Sequence, residues 1–133
     1  MAKTLETLED YESLRDRLRK SQIVDLLMKY EISELNLEFT HGLNDDGFIL
    51  RCLNVIHFIF SKDLDDRDGC YFVGNIFVKP LKEDEQEILK RFNYEFLGFD
   101  EDENRELIYI HVEGGILLEI VCEKLIALEL NPE

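Results

Sequence analysis

The sequence predicts an α+β protein, in which an antiparallel β-sheet of about six strands is covered by N-terminal helices and one short amphipathic helix. Apolar residues recur at spacings of three and four over residues 4–31 and 82–92, a period typical of helices that bury one face. Between and after these segments the period is two, or the apolar run is continuous, as in strands. The turns between successive strands are too short for parallel crossovers, so the sheet should be antiparallel and could roll into a half-open barrel.

Size and composition indicate one globular domain spanning residues 1–133. With 133 residues and 45% hydrophobic content the chain can bury a core, and its apolar residues are too dispersed for a membrane span. The N-terminal segment has no apolar stretch typical of a secretory signal. Cys52, Cys70 and Cys122 are scattered singly, as is typical of buried thiols in a reducing compartment. We therefore expect a cytoplasmic protein; many bacterial proteins share this small, acidic, β-rich composition, which is not a motif.

The segment 4–31 is predicted to form a helical hairpin, or one kinked helix, that lies on the sheet. The first half has one apolar stripe, formed by Leu5, Leu8, Tyr11, Leu14 and Leu18. The pattern falters at residues 19–22 and resumes over 23–30. Ser21 is suited to cap a second short helix.

From Ser33 the apolar period changes to two, which predicts a half-buried strand. Its inward face would carry Leu35, Leu37 and Phe39. The sequence Asn-Asp-Asp-Gly at 44–47 then predicts a hairpin turn, because Asp-Gly supplies the positive φ that such turns need.

Two further strands are predicted in the central part of the chain. The segment 48–60 is apolar on both faces, and its length permits a bend near residues 53–54. The segment 70–78 contains Gly74, which suggests a bulge or a close backbone approach. Pro80 should end this strand.

The segment 107–130 is predicted to be a β-hairpin about Gly114 and Gly115, since adjacent glycines can both take positive φ. Its second arm is nearly all apolar on one face and mixed on the other, which indicates one long strand well inside the sheet. A helix is the rival interpretation, but the β-branched residues and the glycine pair favour a strand. A short helix, a strand and a solvated turn should precede the hairpin, at 82–92, 93–99 and 100–106.

The chain carries a net charge of −15, and residues 81–133 contribute most of it with fifteen acidic and five basic side chains. Such a field repels nucleic acid and anionic lipid, and the sequence has no basic stripe with interleaved aromatic residues. It would attract a basic protein. The candidate contact residues for that partner are Glu101, Glu103, Glu106, Glu113, Glu119 and Glu123. The oligomeric state stays open, and a dimer is compatible with the sequence.

Two groups of residues could bind metal, and neither matches an established motif. His41, His57 and His111 lie on different predicted strands and would form a site only if those strands were neighbours. The acidic loop 63–69 is similar in part to a calcium loop, but it has an arginine at a ligand position and no glutamate at the twelfth. Nucleophile and phosphate-loop motifs are lacking, so no catalytic residue and no cofactor are assigned.

These observations favour a non-catalytic protein-binding module over an enzyme. The sharpest form of this hypothesis is an inhibitor or immunity-like protein that meets a basic enzyme, because opposed fields speed association. The alternative is a small-ligand-binding or metal-dependent β-barrel protein with a pocket between the sheet and the helices. The strand order would discriminate between the two, because it decides whether the histidines meet.

Overall fold

A computed structural model describes residues 2–19, 21–40, 47–62, 71–81 and 107–129. The elements are β1 (Ala2–Leu5), α1 (Leu8–Leu18), β2 (Gln22–Lys29), a 3-10 turn (Tyr30–Ile32), β3 (Glu34–Thr40), β4 (Phe48–Leu53), β5 (His57–Lys62), β6 (Tyr71–Leu81), β7 (Leu107–Gly114), β8 (Ile116–Cys122) and β9 (Lys124–Glu129). The α+β class is confirmed. The predicted six strands and several N-terminal helices are wrong, because the described residues form nine strands and one α-helix.

The nine strands follow the order β1-β9-β4-β3-β2-β6-β7-β8-β5, and every pairing is antiparallel, as predicted. β1, β9, β4, β3 and β2 form a five-stranded sheet, and β6, β7, β8 and β5 form a four-stranded sheet. The sheets join where the first residues of β2 and β6 pair. Among the described residues β1 and β5 each have one neighbouring strand, so these nine strands do not close into a ring.

Two long segments pass from one sheet to the other at a shared corner. The segment predicted as one strand over 48–60 breaks after Leu53, as the predicted bend allowed, and continues as β5. The second arm of the C-terminal hairpin breaks at Glu123 and continues as β9, so the prediction of one long strand is wrong. Asn54 adopts a φ of 52° and its Nδ2 donates to the Glu123 carboxylate at 2.6 Å. The Glu123 N–H donates to the Leu53 carbonyl at 3.0 Å. Each segment therefore contributes to both sheets.

α1 begins with a capping box, and a buried serine that follows the helix binds the carbonyl of its last residue. Thr7 Oγ1 accepts from the Asp10 N–H at 3.0 Å, and Asp10 Oδ2 accepts from the Thr7 N–H at 3.1 Å. At the other end both the N–H and the hydroxyl of Ser21 donate to the Leu18 carbonyl. Ser21 thus closes α1, and its predicted role as the cap of a second helix is wrong.

The buried face of α1 consists of Tyr11, Leu14 and Leu18, and it packs mainly against β6. Each of these side chains contributes about 1.5–3 kcal/mol by leaving water. Leu5 and Leu8 were predicted on the same stripe, but Leu5 is buried on β1 and Leu8 is 62% exposed.

Residues 22–29 form a strand where a helix was predicted. Ile23 and Asp25 pair with adjacent residues of β3, so Val24 is the extra residue of a β-bulge. The bulge changes the spacing of the inward side chains to three and then two, at Ile23, Leu26 and Met28. Ile23 and Leu26 are thus three residues apart on one face, which is also a helical spacing, and the sequence therefore predicted a helix here.

β3 is the half-buried strand that was predicted, with Leu35, Leu37 and Phe39 buried and the intervening side chains only partly covered. It pairs with β4 so that Phe39 lies opposite Phe48. Of the turn predicted at 44–47 only Gly47 belongs to the described residues, so that turn stays a prediction.

β6 runs through Pro80, which was predicted to end it. β2 pairs only with the first residues of β6. Among the described residues, no strand therefore lies beside Pro80 on the side away from β7. On that side the missing N–H of proline breaks no hydrogen bond of the sheet. The bulge predicted at Gly74 is confirmed, because the register against β7 shifts between Val73 and Asn75.

One hydrophobic core takes side chains from α1 and from both sheets. Cys52 and Cys122 are fully buried in it with free thiols, as predicted. A smaller apolar cluster, formed by Leu107, Tyr109, Val121 and Ile56, lies on the other face of the four-stranded sheet. The segments predicted at 82–92, 93–99 and 100–106 lie outside the described residues. No helix in the described part of the chain is long and apolar enough to cross a membrane.

Candidate functional site

Four polar and aromatic side chains meet on the face of the four-stranded sheet that points away from the main core. Tyr109 and His111 lie on β7, Glu119 on β8 is the cross-strand neighbour of His111, and His57 lies on β5. Tyr109, His57 and Glu119 are buried, and only 9% of Glu119 is exposed. We call these four residues the Glu119 cluster.

The buried carboxylate of Glu119 is the centre of this cluster. Tyr109 Oη donates to Glu119 Oε1 at 3.0 Å, and His111 Nδ1 lies 3.2 Å from the same oxygen. His57 Nε2 lies 3.7 Å from Glu119 Oε2. These partners offset the cost of removing the carboxylate from water.

His111 connects the buried carboxylate to the surface. Its Nδ1 faces Glu119, and its Nε2 lies 2.7 Å from Oε1 of the exposed Glu113. A neutral imidazole can donate to only one of these carboxylates, whereas the protonated ring can donate to both. The cluster joins three strands of the sheet, β5, β7 and β8.

The structure brings two of the three candidate metal-binding histidines to one carboxylate, since His57 and His111 both approach Glu119. His41 lies outside the described residues, as does the acidic loop 63–69, so the calcium hypothesis stays a prediction. In the part of the chain that the structure describes, no three or more His, Cys, Asp or Glu side chains are arranged to hold a metal ion.

Of the six glutamates predicted to face a partner, the structure describes three. Glu119 is buried and cannot belong to an open contact surface. Glu123 is half-buried and accepts from Asn54, whereas Glu113 is exposed beside His111. The other three, Glu101, Glu103 and Glu106, lie outside the described residues.

Large apolar side chains are exposed where β2 connects to β3. Tyr30 and Ile32 are 83% and 60% exposed, and Leu27 near the end of β2 is 52% exposed. Ser33 holds this turn in place, because it takes a φ of 52° and its carbonyl accepts from the Val55 N–H at 2.8 Å. We call Leu27, Tyr30 and Ile32 the Tyr30 patch. Clustered exposed apolar side chains are typical of interaction sites.

A buried ion-pair network lies beside the Tyr30 patch and joins β2, β3 and β4. Glu34 is only 3% exposed, and its Oε1 accepts from Arg51 Nη2 at 2.8 Å. Its Oε2 lies 3.4 Å from Lys29 Nζ and 3.2 Å from Asn36 Nδ2. The hydrogen bond from Arg51, assisted by those from Asn36 and Lys29, lowers the pKa of Glu34 in spite of its burial.

A cleft of about 480 Å³ separates α1 from β1, β9 and β4. Its apolar surface is formed by Leu5, Leu14, Phe48 and Ala127. Its polar rim is formed by Lys3, Asp10, Ser13, Arg17 and Glu129. The Arg17 guanidinium crosses from α1 to β9, where it forms a bidentate salt bridge with Glu129 and stacks 4.5 Å above the Phe48 ring. The volume is within the range of small-molecule sites, about 300–1,000 Å³.

Sequence signals existed for part of these sites. The predicted two-residue turn at Gly114 and Gly115 would pair His111 with Leu118, whereas the hairpin is centred on Gly115 and pairs His111 with Glu119. Thr7 and Asp10 have the spacing of a capping box, which would have placed the helix start correctly. No local signal places Arg17 against Glu129, which are 112 residues apart.

No protein-family model matches this chain, and no curated protein is significantly similar to it. The features of the structure that support a function are the Tyr30 patch and the cleft.

Proposed function

We propose that this chain is a non-catalytic protein-binding module whose contact is centred on the Tyr30 patch. The supporting observation is the exposure of Tyr30 and Ile32 on a turn whose backbone is tied to Val55 through Ser33. An aromatic anchor presented on a fixed backbone loses little conformational entropy when a partner covers it.

The energetics of such a contact depend on one or two large side chains. Tyrosine is enriched among interface residues whose truncation costs about 2 kcal/mol or more, roughly 30-fold in Kd. The Glu34 network stiffens the strands on which the patch stands, because it links Lys29 at the end of β2 to Arg51 on β4. The patch is therefore presented by a rigid support.

The charge of the chain favours a basic partner. A net charge of −15 would accelerate association with a positively charged protein. Glu113 is an exposed member of the predicted acidic surface. The sharpest form of the proposal is an inhibitor or immunity-like protein that covers a basic enzyme.

Partner capture tests the proposal with three immobilised proteins: the wild type, the double variant Tyr30→Ser/Ile32→Ser and the control variant Leu8→Ser. Leu8 is a suitable control because it is a similarly exposed apolar residue on α1. We expect the wild type and Leu8→Ser to retain the same partner and the double variant to lose it. Raising the salt from about 0.05 M to about 0.5 M, where the Debye length is about 4 Å, should weaken capture of a basic partner.

Two results would contradict the proposal. Equal capture by the wild type and the double variant would place the contact elsewhere, provided that all three proteins have similar melting temperatures. Failure of the wild type to retain any partner at either salt concentration would remove the protein-binding function.

Small-ligand binding is the second candidate function, and the cleft beside α1 is the observation that favours it. The two candidates use different surfaces, since the Tyr30 patch and the cleft share no residue. Changes at Tyr30 should therefore leave ligand binding intact, and changes in the cleft should leave partner capture intact.

A further inference from the structure

The cleft between α1 and the five-stranded sheet has an apolar interior and a charged rim, the arrangement of a site for an amphipathic molecule. Because α1 packs mainly on β6, the helix leaves part of the five-stranded sheet uncovered. The small side chain of Ala127 on β9 lies in that part. A hydrocarbon chain or ring in the cleft would contact Leu5, Phe48 and Ala127, and its transfer from water is favourable.

The two carboxylates at the rim are already committed to protein groups. Asp10 accepts from the backbone N–H groups of Glu6 and Thr7 at 3.0 and 3.1 Å, so it is part of the helix cap. Glu129 holds both terminal nitrogens of Arg17. A cationic head group would lie beside the Lys3 ammonium and the Arg17 guanidinium, which already neutralise these two carboxylates, so it would gain little from the rim.

The donors at the rim retain capacity. Among the described residues Lys3 has one ion-pair partner, Asp10 at 3.1 Å, and its side chain is 70% exposed. An ammonium group has three N–H donors, so two of them remain for a ligand. The exposed hydroxyl of Ser13 can donate as well. The Lys3 ammonium is therefore the most exposed charged group at the rim, because the side chains of Asp10, Arg17 and Glu129 are only 16%, 36% and 39% exposed.

We propose that this cleft binds an amphipathic carboxylic acid, with its apolar part between Leu14, Phe48 and Ala127 and its carboxylate at Lys3 and Ser13. The proposal rests on the small-ligand function and adds the class of ligand. The net charge of −15 opposes an anion at long range, but salt screens charges beyond about 8 Å under physiological conditions. The rim itself is balanced, with two cations and two anions.

Three probes with the same chain and different head groups test the ligand class: octanoate, octanol and octylammonium. Each is titrated into uniformly ¹⁵N-labelled protein, and the amide chemical shifts locate the binding site. We expect octanoate to bind most tightly and to shift the amides of Leu5, Leu14 and Ala127. Octanol should shift the same amides with lower affinity, and octylammonium should bind most weakly.

Two variants with one matched control test the residues. Lys3→Met should weaken octanoate binding by about three- to fivefold and leave octanol binding unchanged, because an exposed ion pair contributes little. Lys124→Met is the control, since Lys124 is an exposed lysine on β9 outside the cleft, and it should change neither affinity. Ala127→Leu should fill the cleft and abolish binding of every probe.

The outcomes separate the ligand class from the ligand-binding function. If octanol or octylammonium binds the cleft as tightly as octanoate, or if Lys3→Met has no effect on octanoate, the carboxylate assignment is overturned while ligand binding stands. If no probe shifts the cleft amides of the wild type, the ligand-binding function fails as well. Should Ala127→Leu lower the melting temperature strongly, the shift map of the wild type and the Lys3→Met series still decide the question.

Discussion

Glu34 is a buried carboxylate that the fold keeps in its charged form. Arg51 contributes most to lowering its pKa below the ordinary value of 4.5, and Asn36 and Lys29 add to the effect, whereas burial acts in the opposite direction. A carboxyl whose pKa is lower in the folded than in the unfolded chain stabilises the fold above the unfolded pKa. That contribution is lost as the pH falls through the folded pKa.

Glu34→Gln should therefore destabilise the protein by about 1–2 kcal/mol near neutral pH, because charge-assisted hydrogen bonds are replaced by weaker ones. The difference from the wild type should stay constant down to about pH 5 and then shrink as the pH falls below the unfolded pKa. Urea unfolding at several pH values measures it, and Glu31→Gln, at an exposed acid in the adjacent turn, is the control. A difference that does not change with pH would show that Glu34 acts through packing alone.

Gly74 occupies a bulge where β6 approaches the backbone of β7 closely. A Cβ at this position would lie 3.1 Å from the Glu113 carbonyl oxygen, which is tighter than ordinary contact. Gly74→Ala should therefore cost about 1 kcal/mol, since the neighbouring strand must shift within a hydrogen-bonded ladder. Asn75→Ala, at an exposed residue of the same bulge, should be nearly neutral. If thermal unfolding shows that Gly74→Ala is as stable as the wild type, the backbone of β7 can shift to admit a Cβ without a loss of stability.

The corner at Asn54 and Glu123 determines where the two long segments change sheets. Asn54 has a φ of 52°, a conformation that costs residues with a Cβ roughly 1–2 kcal/mol and costs glycine nothing. We expect Asn54→Gly to be more stable than Asn54→Ala by about 1 kcal/mol, although glycine is the more flexible residue when unfolded. Both variants lose the hydrogen bond to Glu123, so their difference isolates the backbone term. Chemical unfolding that ranks alanine above glycine would contradict this conformation.

The elements that the sequence predicted well are those whose signal is local. The C-terminal hairpin and the bulge at Gly74 follow from glycines at those positions, although the hairpin is centred on Gly115 and Gly114 belongs to β7. β2 was missed because the bulge at Val24 changes the spacing of its apolar residues. The breaks after Leu53 and at Glu123 were not resolved into separate strands, because each is fixed by the other segment.

The candidate sites also differ in whether a local sequence signal or only the tertiary structure brings their residues together. The hairpin that carries His111 and Glu119 was predicted, but its predicted turn at Gly114 and Gly115 would have paired His111 with Leu118. The cleft was not within reach of the sequence, because its walls come from α1, β1, β4 and β9, and their juxtaposition depends on the complete strand order. Exposure of the Tyr30 patch also depends on tertiary structure, since Leu27 and Tyr30 fitted the apolar face of the predicted helix.

The charge of the whole chain should make its stability depend on pH and salt. Fifteen acidic residues against five basic ones in residues 81–133 repel one another, which raises carboxyl pKa values in the compact state relative to the expanded chain. The folded chain then binds more protons than the unfolded one through the carboxyl titration range. Stability should consequently fall as the pH rises through that range.

We predict a higher melting temperature near pH 5.5 than near pH 8 at low salt, and a smaller difference at about 0.5 M salt, where the Debye length is about 4 Å. Asp10 and Glu34 have lowered pKa values and so stabilise the fold with increasing pH, but their contributions are already complete above the unfolded values of 3.8 and 4.5. They do not affect this comparison. Scanning calorimetry at both pH values measures the difference, and equal melting temperatures at low salt would show that the repulsion is negligible.

The two segments that pass through the corner have a consequence for how the protein unfolds. The segments 48–62 and 116–129 each supply one strand to each of the two sheets. Unfolding of either sheet therefore disrupts strands of the other. Local opening can then be confined to the end strands β1 and β5 and to the turns, while the interior strands of both sheets share one cooperative transition. Amide hydrogens of β3 and β7 should accordingly exchange with the same free energy of opening, although these strands belong to different sheets and have no hydrogen bond between them.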